Sequence, residues 1–165
     1  MISIPSWKIH NKWAQKAGIS QEISNYINRA IDNKKMPEDF RKHTEQRKLL
    51  RSSGGPISIT DIGSIMENKL HDRARSKHIK EQDLLFLSTK GKNYVKAWYL
   101  HFILDYLVKL KDWRKDTGES MEECIDKYKR NKKAVVISGT KEVLIEVMDF
   151  LKKNSQELQK DVNSP

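Results

Sequence analysis

The chain has 165 residues and a formal net charge of +10, with 33% charged and 37% hydrophobic residues. This length is enough for one domain with a core, and the hydrophobic share excludes a wholly disordered chain. The excess of 32 basic over 22 acidic residues favours a polyanionic partner: nucleic acid, a phosphorylated small molecule or an anionic membrane surface. A soluble, self-repelling surface accounts for the same charge and stays an alternative.

Cysteine content limits the chemistry further. The single Cys124 excludes a disulfide within the chain and a thiolate-rich zinc knot, so any metal here would be held by histidines and carboxylates. The first ten residues contain no charged-then-apolar leader, and we therefore expect a cytoplasmic protein. Oligomeric state is left open.

The first two predicted helices form a pair. Residues 3–17 predict a helix that Ser3 can cap and Gly18 can end. Its inward stripe follows a spacing of three or four residues and comprises Trp7, His10, Trp13, Ala14 and Ala17. A second helix follows from Ser20 to Asp32. The pair resembles a helix-turn-helix, but few groups on the second helix could read bases: Gln21, Asn25, Asn28 and Arg29. An ordinary antiparallel pair is the alternative.

The middle of the chain is strongly charged. Residues 38–51 predict a basic helix that contains His43, and 52–56 are the clearest loop in the sequence. A further helix, starting at Ser58 or Thr60, carries the dipeptide His71-Asp72 and then several basic residues.

Residues 93–113 predict the central helix, because hydrophobic side chains occupy nearly every side of it. A helix of this kind is surrounded by other helices, and 21 residues would span about 30 Å. The interruptions by Lys96, His101, Asp105 and Lys109 argue against a membrane span.

The remaining chain predicts a weak basic helix over 121–133, a short β-branched run at 134–137 and a last helix after Thr140. We therefore expect an all-α protein: a single compact domain of six or seven helices over residues 1–152, followed by a polar, frayed tail at 153–165.

The candidate site begins with His101 and Asp105, which lie four residues apart and hence on one face of the central helix. Ionisable groups in a buried helix are costly unless they pair or bind metal, so a structural His–Asp hydrogen bond and a metal site are both open. The full candidate ligand set is His10, Asp32, His71, Asp72, His101 and Asp105. Donors of this kind, without thiolates, suit a divalent metal such as Zn, Mn, Fe or Mg. Three basic residues are candidates to stabilise phosphoryl oxygens in catalysis: Arg73, Arg75 and Lys92.

His71-Asp72, with a histidine upstream and Asp105 downstream, resembles the HD-domain metal-dependent phosphohydrolases, which are all-helical. The resemblance implies that His10 or His43 is the first ligand, His71 and Asp72 the central pair, and Asp105 the last. The sequence departs from that pattern around the central pair, where residues 67–70 are not an apolar run.

A second set is similar to the helical zinc-dependent phospholipase C and single-strand nuclease family. It comprises Trp7, His10, Asp32, His43 and the pair His101/Asp105, in the family's order. The resemblance implies metal binding by these residues. No histidine follows His101, so the complete three-metal set of the family cannot form.

The sequence therefore predicts a metal-dependent phosphoester hydrolase, a phosphatase or nuclease, in which a metal-bound water attacks phosphorus. The alternative is a basic, helix-turn-helix-like nucleic-acid-binding protein without catalysis, and a third possibility is an interaction protein with a structural His–Asp pair. Whether His43 and His78 join the site is left open.

Overall fold

The structure, a computed structural model, describes residues 7–32, 35–52, 77–130 and 134–164, with the backbone alone in 48–52. Within these ranges all regular elements are α-helices, which confirms the predicted all-α class. The helices are α1 (Trp7–Lys16), α2 (Gln21–Asp32), α3 (Glu38–Ser52), α4 (Lys77–Lys90), α5 (Lys92–Lys109), α6 (Lys111–Thr117), α7 (Met121–Arg130), α8 (Lys141–Lys153) and α9 (Ser155–Asn163).

Helix α5 lies at the centre. Eleven of its 18 residues are buried, and it contacts seven of the other helices: α1, α2, α4, α6, α7, α8 and α9. It ends earlier than predicted: the chain leaves the helix at Leu110 (φ −95°, ψ 10°), and 111–117 continue as the separate short helix α6. Trp113, which we expected on the central helix, therefore lies on α6 and is half exposed.

Helices α1 and α2 form a hairpin against α5. Gly18 turns the chain with φ +80°, a left-handed conformation that costs glycine little. Ser20 then caps α2, because its Oγ accepts a hydrogen bond from the backbone N–H of Ile23 at 3.3 Å. Since α1, α2 and α5 contact one another pairwise, side chains on their inner faces meet at one place.

The C-terminal residues do not form the frayed tail that the sequence predicts. Residues 155–163 form α9, in which Leu158 and Val162 are fully buried. The Asp161 carboxylate accepts hydrogen bonds from Trp13 Nε1 at 2.9 Å and Lys12 Nζ at 2.7 Å, so α9 is held against α1. Two apolar side chains four residues apart were sufficient to bury one face of this otherwise polar segment.

The described ranges contain nine helices, where the sequence predicts six or seven for the whole chain. The division of 93–113 into α5 and α6, and the additional helix α9, account for part of the difference. Within the described ranges, the buried hydrophobic side chains other than Ile79 belong to one cluster, which runs from Ile9 to Val162.

No helix within the described ranges combines the length and the hydrophobicity that crossing a membrane requires.

Substitution of Leu158 tests whether α9 belongs to the folded core. We expect Leu158→Ala to lower the free energy of unfolding by about 2–4 kcal/mol, because it leaves a cavity in a fully buried site. The matched control is Gln159→Ala on the exposed face of α9, which should change it by less than about 0.5 kcal/mol. Urea unfolding followed by circular dichroism measures both, and equal stabilities would show that the tail contributes nothing to the core.

Candidate metal centre

Three helices supply the site. His10 lies on the buried face of α1, Asp32 is the last residue of α2, and His101 and Asp105 lie one turn apart on α5. The site is formed at the junction where these helices pack. Helices hold side chains more rigidly than loops do, so the geometry is defined by the packing itself.

The Asp105 carboxylate lies between two imidazoles. Its Oδ1 is 3.1 Å from His10 Nε2, and its Oδ2 is 3.3 Å from His101 Nε2. The two rings are stacked, with centroids 3.9 Å apart and planes 16° from parallel. One ligand atom from each of the three residues lies within 4.8 Å of the others, so the three donors are close together.

Asp32 lies at the edge of this group. Its Oδ2 accepts a hydrogen bond of 2.5 Å from Trp7 Nε1, and its Oδ1 lies 3.8 Å from His101 Nε2. Two carboxylates, those of Asp32 and Asp105, therefore face the same imidazole nitrogen. Negative charges this close to a buried nitrogen lone pair require a proton or a cation between them.

The other nitrogen of His101 faces an amide. His101 Nδ1 lies 3.0 Å from Asn28 Oδ1, and Asn28 Nδ2 donates to Asn11 Oδ1 at 3.0 Å. Asn11 Oδ1 also accepts from the Ser24 hydroxyl, and Asn11 Nδ2 donates to Asn25 Oδ1 at 2.9 Å. With this orientation of the amides, Nδ1 donates its proton to Asn28 Oδ1, and Nε2 is the nitrogen that faces the carboxylates and is available to a cation.

The electrostatics favour the protonation states of metal ligands. Burial, and after it the neighbouring His101, lowers the pKa of His10 to about 4, although contacts with Asp105 act in the opposite direction. Burial by itself raises the pKa of Asp105, but the contacts with His10 and His101 outweigh it and hold this pKa well below its usual value. At neutral pH, His10 is therefore a neutral imidazole and Asp105 a carboxylate, as ligation requires.

The site opens on its carboxylate side. The side chains of His10 and His101 are only 3% and 2% exposed, whereas those of Asp105 and Asp32 are 14% and 13% exposed. Behind the imidazoles lies a cavity of about 10 Å³, which is room for one water at most. A larger molecule would have to approach from the carboxylate side.

The donor set fits a divalent ion. Ligand atoms about 2.1 Å from an ion lie about 3.0 Å apart in octahedral and about 3.4 Å apart in tetrahedral coordination. The separations of 3.1 Å and 3.3 Å are of this size, but they run to different oxygens of Asp105, and they equally suit hydrogen bonds in the absence of an ion. Two imidazoles and one or two carboxylates are a donor set for Zn, Mn or Fe.

Other predicted site residues are not brought to this cluster. Lys92 is nine residues from His101 on α5, about 14 Å of helical rise, and pairs with Glu146 at 2.9 Å. Lys92, the first residue of α5, therefore lies away from this cluster, and its catalytic role stays a prediction. The remaining predicted ligands and catalytic residues lie outside the described residues: His71, Asp72, Arg73 and Arg75.

The two histidines left open by the sequence lie elsewhere. His43 Nε2 is 3.4 Å from Asp83 Oδ1, and its ring stacks on Phe86 at 4.5 Å, between α3 and α4. His78 is exposed on α4 and contacts Gln82. Neither belongs to the group formed by α1, α2 and α5.

Sequence reasoning missed the amides that orient His101. The sequence analysis counts Asn28 among the groups of α2 that could read bases, yet Asn28 is buried. A signal was present: Ser24, Asn28 and Asp32 recur every four residues, so they lie on one face of α2, beside the apolar Ile27 and Ile31. A polar row adjoining an apolar stripe is typical of a buried hydrogen-bond network.

In comparisons with known proteins, no family model, no curated protein and no solved structure matches this chain. The two family resemblances therefore stay predictions that rest on the residues quoted for them.

The lowered pKa of His10 predicts how stability depends on pH in the metal-free protein. An unfolded histidine titrates near 6.5 and folded His10 at about 4, so between these values the unfolded state binds the additional proton. His10 should therefore reduce the free energy of unfolding as pH falls from about 6.5 to about 4, by on the order of 3 kcal/mol. Urea unfolding of the wild type and His10→Gln across this range measures the difference. If the free energies of unfolding of the two proteins changed in parallel with pH, the predicted contribution of His10 would be contradicted.

Proposed function

We propose that this chain is a metal-dependent phosphoester hydrolase in which His10, His101 and Asp105 hold one divalent cation, with Asp32 completing the ligand set. The observation that carries the proposal is the convergence of ligand atoms from these first three residues within 4.8 Å, at a buried junction of three helices. The donors come from separate parts of the chain, since His10 and Asp105 are 95 residues apart.

The reaction follows from the donor chemistry. A divalent ion held by imidazoles and carboxylates lowers the pKa of a bound water and supplies a nucleophile near neutral pH. Attack on phosphorus forms one P–O bond and breaks the ester P–O bond, and the proton lost by the water is returned to the departing oxygen. Within the chain, Asp105 and Asp32 line the exposed side of the site, and the Trp7 indole N–H holds Asp32 in place.

The substrate class rests on charge. A net charge of +10 raises the local concentration of polyanions, and phosphoesters are the anionic substrates that metal-activated water commonly hydrolyses. A phosphodiester in nucleic acid and a phosphorylated small molecule both satisfy this requirement. A cytoplasmic location stays part of the proposal.

The second candidate, nucleic-acid binding without catalysis, rests on the same net charge. The burial of Asn28 removes one of the few base-reading groups that were available to α2, so the helix-turn-helix version of this candidate has less support. Binding through the surface charge alone would weaken steeply with salt and would not need His101.

Asp105→Asn tests the hydrolase. This isosteric change removes the charge between the two imidazoles, and we expect Zn²⁺ or Mn²⁺ affinity to fall by more than about 100-fold, since even an outer-shell partner contributes about 10–100-fold. Hydrolysis of bis-p-nitrophenyl phosphate should be lost with it. Elemental analysis of the purified protein and turnover with added metal are the measurements.

Asp149→Asn is the matched control, because it makes the same charge change at an exposed position on α8 and should alter neither quantity. Wild-type protein that binds no Zn²⁺ or Mn²⁺ and shows no turnover would refute the hydrolase. Salt-sensitive DNA or RNA binding that survives His101→Ala would then favour the second candidate.

A further inference from the structure

The metal centre is backed by a row of amide and hydroxyl groups that the hydrolysis itself does not use. These are the side chains of Asn11, Ser24, Asn25 and Asn28, here called the amide chain. Asn28 and Ser24 are buried, at 1% and 3% exposure. Amide groups buried beside an imidazole are costly unless each finds a partner, so their arrangement calls for a physical reason.

Each group in the amide chain has a defined partner. Asn11 Oδ1 accepts two hydrogen bonds, from the Ser24 hydroxyl at 2.5 Å and from Asn28 Nδ2 at 3.0 Å, which uses both of its lone pairs. Asn11 Nδ2 then donates to Asn25 Oδ1 at the outer end. With the hydrogen bonds running in these directions, Asn28 Oδ1 faces His101 as an acceptor.

We propose that Asn28 is a positioning residue which, through its Oδ1, holds the proton of His101 on Nδ1 and keeps the Nε2 lone pair directed at the cation site. This inference rests on the proposed function for its purpose, and on the 3.0 Å contact between Asn28 Oδ1 and His101 Nδ1 for its geometry. A ligating histidine usually donates its second ring N–H to an oxygen acceptor, which sets both tautomer and ring orientation.

The opposite orientation of the Asn28 side-chain amide would place the proton of His101 on its other ring nitrogen. If the Asn28 amide were reversed, Nδ2 would donate to Nδ1 of His101, and Nε2 would carry the proton and donate it to the carboxylates of Asp32 and Asp105. That arrangement would make the cluster a closed hydrogen-bonded group with no lone pair available on His101. The direction of one amide therefore separates a ligand site from a structural contact.

The tautomer of His101 in the metal-free, full-length wild type is the first measurement. A long-range ¹H–¹⁵N correlation spectrum separates protonated from unprotonated ring nitrogens, and the His101 signals are assigned by their loss in His101→Gln. We expect a proton on Nδ1. A proton on Nε2 alone would overturn the inference. Because this readout needs no ion, it is independent of the hydrolase proposal, which fails instead if the wild type binds no metal.

Zn²⁺ affinity in three variants is the second measurement, made by calorimetry with a competing chelator. Asn28→Leu removes the acceptor at similar volume and should bind Zn²⁺ about 10–100-fold more weakly than wild type. Asn28→Asp keeps an acceptor oxygen towards Nδ1 and should recover most of that loss. Asn93→Leu, the same substitution at an exposed position in the first turn of α5, should have no effect.

Two outcomes would contradict the positioning role. Equal Zn²⁺ affinity in wild type and Asn28→Leu would mean that Asn28 only fills space, and equally weak binding by Asn28→Leu and Asn28→Asp would mean that the acceptor is irrelevant. Circular dichroism establishes that each variant is folded. If Asn28→Leu does not fold, the tautomer spectrum of the wild type decides by itself.

Discussion

One contact at the centre of the molecule connects its parts: the carboxylate of Asp105 between the imidazoles of His10 and His101. A buried carboxylate costs several kcal/mol of desolvation, which only close and well-directed partners can offset. Those partners lie on two different helices, so the contact forms only when α1 is docked on α5. The same packing that buries Trp13 and Ile103 therefore also assembles the candidate ligands.

Two groups of side chains surround this contact, one on its solvent side and one on its protein side. On the solvent side, Trp7 holds Asp32 by its indole N–H, and both carboxylates keep some exposure. On the protein side, Asn28 and the rest of the amide chain satisfy the second nitrogen of His101. Burial keeps His10 neutral and the contacts with the two imidazoles keep Asp105 ionised, and these are the protonation states that cation binding would require.

Much of the fold could be predicted because the signals are local. The apolar run of α5, the glycine and serine that end α1 and begin α2, and the spacing of His101 and Asp105 each depend on a few consecutive residues. The position at which α5 ends and the packing of α9 could not be predicted in this way. Leu158 and Val162 form a helix face only because α9 has neighbours to cover them.

The sequence by itself determined that the chain is helical, that the central helix lies within 93–113, and that an imidazole and a carboxylate lie on one face there. Helical periodicity fixes which neighbours along the chain share a side. Only the tertiary structure showed that His10 contacts Asp105, 95 residues away. It also showed that Lys92 pairs with Glu146 away from the cluster, and that the side chain of Asn28 points inward to His101. The physical reason is that the packing of the whole core decides which helix faces meet. A local sequence pattern does not contain that information.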